Sequence, residues 1–215
     1  IRIAETRFLP ILQKPANFPL TWKGDHLATN SLLSPKEICP EEHKYLVCCT
    51  EPVIGMAISQ NVRELLNCHL KSVRVQHVIK QLQNAMSVRP ESLTRPQFEE
   101  LDCVCTKVYV TLQQFLQFHG ADIIRPIQGK SFILLGRSFV SPTQVAFTLY
   151  ADCSPYLFKL PTQLADSFAP LMRAAGVKEK FDADDFKSSL IELRERFQGN
   201  ELDEDALRVA VQLAN

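Results

Sequence analysis

Residues 131–199 read SFILLGRSFVSPTQVAFTLYADCSPYLFKLPTQLADSFAPLMRAAGVKEKFDADDFKSSLIELRERFQG. In order this is a strand, a Ser-Pro turn, a second strand, an apolar Tyr156-Leu-Phe158 segment, a helix stopped by glycine and a helix capped by aspartate. A fainter version begins near Ser31. Ser31-Leu-Leu-Ser-Pro-Lys-Glu-Ile38 matches Ser138-Phe-Val-Ser-Pro-Thr-Gln-Val145, with Pro35 set against Pro142 and an apolar residue three positions after each. Proline fixes φ and pushes the preceding residue to an extended conformation, so each copy reads as a turn with extended flanks. Further on, Leu101-Asp102 with Val108, Val110 and Leu112 parallels Leu202-Asp203 with Val209, Val211 and Leu213. Order kept across two separated blocks is the mark of an internal repeat. The expected fold is α+β: small antiparallel strands with amphipathic helices, in two similar tandem subunits. The expected boundaries are an N-terminal extended segment at 1–27, a first α+β unit at 28–122, and a second at 123–215 that opens with a strand hairpin and continues in helices.

Outside the quoted stretch, residues 8–12 suit an edge strand before Pro15 and Pro19 interrupt, and Tyr45-Leu-Val-Cys-Cys49 is short and apolar enough for a buried strand. From Asn61 the period changes. Val62, Leu65, Leu66 and His69 form one helical face, and Val75, Val78, Ile79, Leu82 and Met86 a second. Phe98, Leu101, Cys105, Val108, Leu112 and Phe115 mark a third helix, with Thr94 and Gln97 as a capping box, Pro96 in the first turn and Gly120 as its stop. Residues 124–127, 132–135 and 144–150 read as strands of a small antiparallel sheet, turning at Gln128-Gly129 and Gly136-Arg137. Leu164, Phe168, Leu171, Met172 and Ala175 face one way before Gly176 ends their helix. Asp182 then caps a helix whose Phe186, Leu190, Leu193 and Phe197 stripe runs to Gly199, and Asp203-Glu-Asp205 opens the last helix with negative charge where the macrodipole favours it.

The 215 residues carry 24 acidic and 24 basic side chains, a balance that argues against a nucleic-acid binder or a polybasic membrane surface. No apolar run is long enough for membrane insertion and the first residues lack a secretory pattern, so a soluble chain is expected. Ile1 is not a natural start and Asn215 falls inside a continuing helical pattern, so the sequence is expected to be a piece of a longer protein. The seven cysteines are odd in number, two are adjacent and most have apolar neighbours, which suits reduced, buried thiols in the cytosol.

Glycine spacing excludes much chemistry. Gly24, Gly55, Gly120, Gly129, Gly136, Gly176 and Gly199 are too scattered for a dinucleotide fingerprint, a phosphate-cradling loop or a nucleophile elbow. Cys39, His43, Cys48 and Cys49 could ligate a metal if their loop folded back, but small buried hydrophobes are the plainer reading, so no metal and no cofactor are expected. Asp182-x-Asp184-Asp185 lacks the glycine and closing glutamate of a calcium loop and reads as a helix cap. Arg63 and His69 have a spacing known from a ribonuclease motif, at chance frequency. His26, His77 and His119 lack partner motifs and read as solvated or capping residues. No catalytic residue stands out. The candidate interaction residues are Trp22, as an anchor if exposed and otherwise core, and Lys71, Arg74 and Lys80, a basic face that could meet an acidic neighbouring domain.

Several stretches together resemble the repeat regions of the sacsin family: Phe8-Leu-Pro-Ile-Leu-Gln-Lys-Pro15, Pro19-Leu-Thr-Trp-Lys-Gly-Asp25, Ser31 to Pro35, Pro40-Glu-Glu-His-Lys-Tyr-Leu-Val47, Ser138 to Phe147, Ser154-Pro-Tyr-Leu-Phe158 and Gly176-Val-Lys-Glu-Lys-Phe181. The resemblance covers nearly the whole chain and lies in the order of the motifs. It implies a segment of a giant cytoplasmic co-chaperone whose large internal repeats each begin with an ATPase-like domain of the gyrase and histidine-kinase type. This chain would be the part of a repeat downstream of that domain. The family's association with protein quality control, intermediate filaments and the mitochondrial network implies a scaffold whose partners are neighbouring domains, protein clients or chaperones. Neither the His-Pro-Asp of a J domain nor the glycine-rich ATP lid is found here, so no family catalytic residue carries over. The alternative is a middle-type domain regulating the adjacent ATPase.

Overall fold

Each Ser-Pro pair starts a short 3₁₀ turn whose third residue reaches back to close it. In the first copy the Glu37 carboxylate accepts from the Ser34 backbone N–H at 3.0 Å and from its hydroxyl at 2.7 Å. In the second, Gln144 Oε1 accepts from the Ser141 N–H at 3.3 Å. These reciprocal caps satisfy donors that a turn leaves orphaned and aim the chain into the strand that follows. The computed structural model describes residues 3–27, 30–56, 58–67, 69–198 and 200–214. It divides into two compact units, Ile1–Ile127 with Gly136–Phe139, and Gln128–Leu135 with Val140–Asn215.

The first unit is organised on a minimal mixed sheet. Strand β1 (Leu9–Pro10) pairs antiparallel with β2 (Leu32–Leu33). The same N-terminal segment continues onto residues 53–55, with Leu12 N–H to Val53 O at 2.7 Å and Gly55 N–H to Pro10 O at 2.9 Å. Residues 53–54 lie in turn beside Cys39, in a parallel bridge. Lys71 N–H closes the far side on Ile38 O at 3.0 Å. The core beneath this sheet holds Leu9, Ile11, Leu33, Ile38, Ile54 and Leu66.

Four helices complete the unit: α1 (Lys44–Val47), α2 (Gln60–Asn67), α3 (Val75–Met86) and α4 (Arg95–His119). α3 packs along α4, and α1 against both. Val78, Leu82, Leu101, Val104, Val108 and Leu112 are fully buried. The expected stop of α4 is Gly120, at φ +74°, where a side chain would be strained. A 3₁₀ helix, Ala121–Ile127, follows α4.

Strands β3 (Ile133–Leu135) and β4 (Ser138–Val140) pair across the Gly136-Arg137 turn. Strand β5 (Val145–Thr148) is central to a parallel sheet, between β6 (Phe158–Lys159) and β7 (Lys178–Lys180). Helices α5 (Thr162–Ala175), α6 (Ala183–Phe197) and α7 (Glu204–Ala214) close the chain. α5 is kinked at Phe168, φ −130°, where Pro170 removes a helical donor. Ala146, Cys153, Leu157, Phe181, Leu193, Val209 and Leu213 are among the core residues of the second unit.

The fold is α+β, and the two units share one topology. The Ser-Pro turn leads to a strand (38–39 in the first unit, β5 in the second), flanked on one side by the next extended piece (53–54, β6) and on the other by a later one (Lys71, β7). Even the bonds correspond: Ile54 N–H to Cys39 O at 3.0 Å, and Leu160 N–H to Ala146 O at 2.8 Å. A helix precedes the last extended piece in each unit (α2, α5) and two follow it (α3 and α4, α6 and α7).

Four expectations are corrected. Tyr45–Cys49 is not a strand: residues 44–47 form α1, because the local apolar run packs on α3 and α4 instead of entering the sheet. Residues 124–127 lie in the 3₁₀ helix, with Pro126 inside it. β5 joins no antiparallel sheet, since both its partners run parallel and come from later in the chain. On α2 the expected apolar face is mostly solvent-facing: Leu66 is buried, whereas Val62 and Leu65 are exposed. Cys68 and Gly199 lie outside the described residues, as does the side chain of Arg63.

Candidate functional site

Of the four candidate interaction residues, Trp22 is 2% exposed and cannot serve as a surface anchor. Its indole N–H donates to Leu12 O at 2.9 Å, and its ring meets Phe18 edge-on at 5.0 Å. An indole buries well only when its N–H finds a partner, and here that partner ties the N-terminal segment to the core.

The other three candidates surround the start of α3 without acting alike. Lys71 Nζ lies 2.6 Å from Glu51 Oε2, and His77 Nε2 lies 3.4 Å from Glu51 Oε1. Glu51 and His77 are mostly covered, at 14% and 15% side-chain exposure. His77 is the third residue of α3, and its Nδ1 accepts the Arg74 backbone N–H at 3.3 Å. An accepting Nδ1 leaves the proton of the neutral ring on Nε2, which faces Glu51. Burial lowers the imidazole's affinity for a proton, Glu51 opposes that, and Lys71, Arg74 and Lys80 add to it. The ring is thus a neutral linker between a helix cap and an ion pair. Arg74 and Lys80 project into solvent, with no ion-pair partner among the described residues.

Glu51 escaped the sequence reading because nothing local marks it; its lysine lies 20 residues away. The repeat holds the one usable signal. Lys71 and Lys178 occupy the same place, at the outer extended piece of each sheet. Lys178 Nζ lies 2.6 Å from Asp185 Oδ2 and 3.2 Å from Asp182 Oδ2. Its hydrogen bond to Asp185 raises its proton affinity, and the Lys178 contact holds the Asp182 carboxyl below its usual range. Asp182 caps α6 by accepting from the Asp184 and Asp185 N–H groups, and Asp185 returns a bond to the Asp182 N–H. The run read as a helix cap is a helix cap, locked by a lysine.

The cysteine cluster disperses. Among the described residues no three His, Cys, Asp or Glu side chains converge. Cys39 and Cys48 are fully buried, and burial pushes both thiols up to about 12; Cys49 is pushed up to about 11. Gln81, fully buried on α3, donates to Cys48 Sγ at 3.1 Å and accepts the Cys49 N–H at 3.0 Å. His26 and His119 are exposed.

One concavity stands beside the Lys71 cluster. A cleft of about 440 Å³ is walled by Leu46 of α1, Leu70 and Val73 of the segment before α3, and Thr111 and Phe115 of α4. A smaller hollow of about 160 Å³, with Glu41, Glu42, Ile54 and Met56, shares Pro40 and Leu70 with it.

The class these features define is a tandem α+β repeat protein, with two copies of one unit in which the repeated lysine is held by its own unit's carboxylates. The chain is similar to sacsin of Homo sapiens, 29% identical over 84% of this chain, and it spans 4% of that protein's length, so the match is that of a sacsin-related segment. No protein-family model matches the chain, and no solved structure matches it.

Proposed function

We propose that this chain is a non-catalytic scaffold and interaction segment of a giant sacsin-like co-chaperone, acting in protein quality control and in cytoskeletal and mitochondrial organisation. In this reading it is not an enzyme and uses no cofactor. It works in the cytoplasm, near mitochondria or intermediate filaments, on protein clients, chaperones and neighbouring domains of its own polypeptide. The observation that carries the reading is how the units use their charges. Lys71, Lys178, Asp182, Asp185, Glu37 and His77 close turns, helix ends and strand edges. A catalytic centre instead gathers ionisable groups with perturbed pKa around a cavity open to substrate. Tandem units that bury apolar faces and present grooves suit holding other chains. The test is calorimetric titration of the chain with ATP, together with an assay for phosphate release. Neither binding nor turnover is expected; micromolar binding at a defined stoichiometry would overturn the reading.

A second reading, regulation of an adjacent ATPase-like domain, is favoured by the solvent-facing Arg74 and Lys80, whose positive charges are available to a nucleotide phosphate. Lys71 is the weaker candidate, being held by Glu51. In a polypeptide holding both domains, Arg74→Ala with Lys80→Ala should slow turnover if this holds; unchanged turnover counts against it.

A further inference from the structure

Resting on the scaffold reading, we propose that the cleft between residues 70–73 and the C-terminal half of α4 binds an extended apolar peptide carrying basic residues. Three observations commit the site to that occupant. The first is an open backbone edge. Lys71 N–H points into the sheet at Ile38 O. Successive residues of an extended chain turn their N–H and C=O groups to opposite sides, so those of Ser72 turn away from Ile38. Among the described residues the Ser72 backbone has no hydrogen-bond partner, and Ser72 lines the cleft.

The second is the lining. Leu46, Leu70, Val73 and Phe115 are half-buried, so each keeps apolar surface turned to solvent. The volume of about 440 Å³ lies within the range of roughly 300–1,000 Å³ typical of ligand sites. The third is charge. The adjoining hollow, reached past Pro40 and Leu70, is rimmed by the exposed Glu41, while the cleft's own Lys71 is already paired with Glu51. The pair of concavities therefore favours a cationic flank on the guest.

The chain contains an example of such a guest. Residues 8–12 lie extended against β2 and residues 53–55 of this same sheet, with Phe8 N–H on Leu33 O, Leu12 N–H on Val53 O and Gly55 N–H on Pro10 O. Main-chain bonds with alternate side chains in pockets are the general mode of strand addition. The edge of the second unit that corresponds to residues 53–55 is closed to such a segment. Leu160 takes the place of Ile54, so Pro161, which has no N–H, stands where Gly55 donates.

The probe is a fluorescent synthetic peptide with the sequence of residues 7–14, RFLPILQK, apolar in the middle and basic at both ends, titrated by anisotropy against the full chain. Saturable binding is expected. It should weaken at least tenfold when the peptide's Arg and Lys are replaced by Glu, and at least tenfold in Thr111→Trp, which fills the cleft from the surface of α4. Should Thr111→Trp melt lower than the parent, Gln114→Lys takes its place, adding bulk and positive charge at an exposed position of the same wall. Saturable binding that either well-folded variant leaves unchanged puts the peptide elsewhere and overturns the proposal. So does failure to saturate at about 1 mM, the weakest binding worth the name of a site. Either failure leaves the ATP titration, and with it the scaffold reading, untouched.

Discussion

Gln81 is a fully buried amide whose two ends are both used, one on the Cys49 N–H and one on Cys48 Sγ. Replacing it by leucine keeps the volume and removes the acceptor, leaving a backbone N–H with no partner, at a cost of about 1–3 kcal/mol. The urea midpoint of Gln81→Leu should fall accordingly with the slope unchanged; a midpoint equal to the parent's would mean that the amide at Cys49 finds water instead. His77 is tested by pH. Its folded-state proton affinity is lowered first by burial, so below the ordinary imidazole value of 6.5 the unfolded chain binds the proton more readily. The stability it contributes is complete above pH 6.5 and declines as pH falls through the lowered folded value. The lowered carboxyls Glu37, Asp152 and Asp182 act only below their ordinary values of 4.5 and 3.8, outside this window. His77→Gln keeps an acceptor for the Arg74 N–H, as Gln97 and Gln144 do in their own turns. Its melting temperature should therefore drop less than the parent's between pH 7.5 and 5.5. Equal drops in the two proteins would show that the ring does not carry the dependence.

At the scale of elements, legibility followed the range of the interactions. The helix start at Thr94 and Gln97, the stop at Gly120 and the Asp182 cap were all readable, because each is decided within one turn of chain. Strands of two to four residues are decided by partners far along the sequence, and apolar runs of that length also suit helices. Hence Tyr45–Cys49 and residues 124–127 were misread, and the parallel partners of β5 went unseen. The Glu51 cluster was hidden for the same reason, while its basic neighbours stood out by charge alone. Gly55 shows how tightly a long-range element can be set. A Cβ there would lie 2.6 Å from the backbone of Ile11 and Leu12, and backbone cannot swing aside as a side-chain tip can. Gly55→Ala should force the N-terminal segment off residues 53–55 and destabilise the first unit by about 2 kcal/mol, the middle of the range for overpacking. Hydrogen exchange at Leu12 and Gly55 is the discriminating measurement. Faster exchange at both amides than at Lys71, on the far side of the same sheet, is expected; parent-like protection would show that the close approach is not a constraint.

For the molecule as a whole, the repeat has a consequence for how the chain is held together. A unit that contains its own Ser-Pro turn, three-stranded sheet and capped helices has the parts needed to fold without its twin. The second unit has its own apolar cluster, from Ala146 and Cys153 through Phe181 and Leu193 to Val209 and Leu213. Its helix starts are secured internally, with Lys178 and Asp182 at α6 and the Asp203 carboxylate accepting the Ala206 N–H at α7. A polypeptide of residues 128–215 should therefore unfold in one cooperative urea transition, with a slope on the order of 1 kcal/mol/M, the low end for small domains. Protection should be lost first at the β3–β4 turn. There the Arg137 guanidinium would be parted from Leu93 O, 3.0 Å away, and from the Phe98 ring, 5.1 Å away, both of the first unit, to which Arg137 itself is counted. A broad, non-cooperative loss of helical signal from this fragment would show that the halves, alike in topology, are a single folding unit, and that Asp182 and Lys178 order α6 only when the rest of the chain is present.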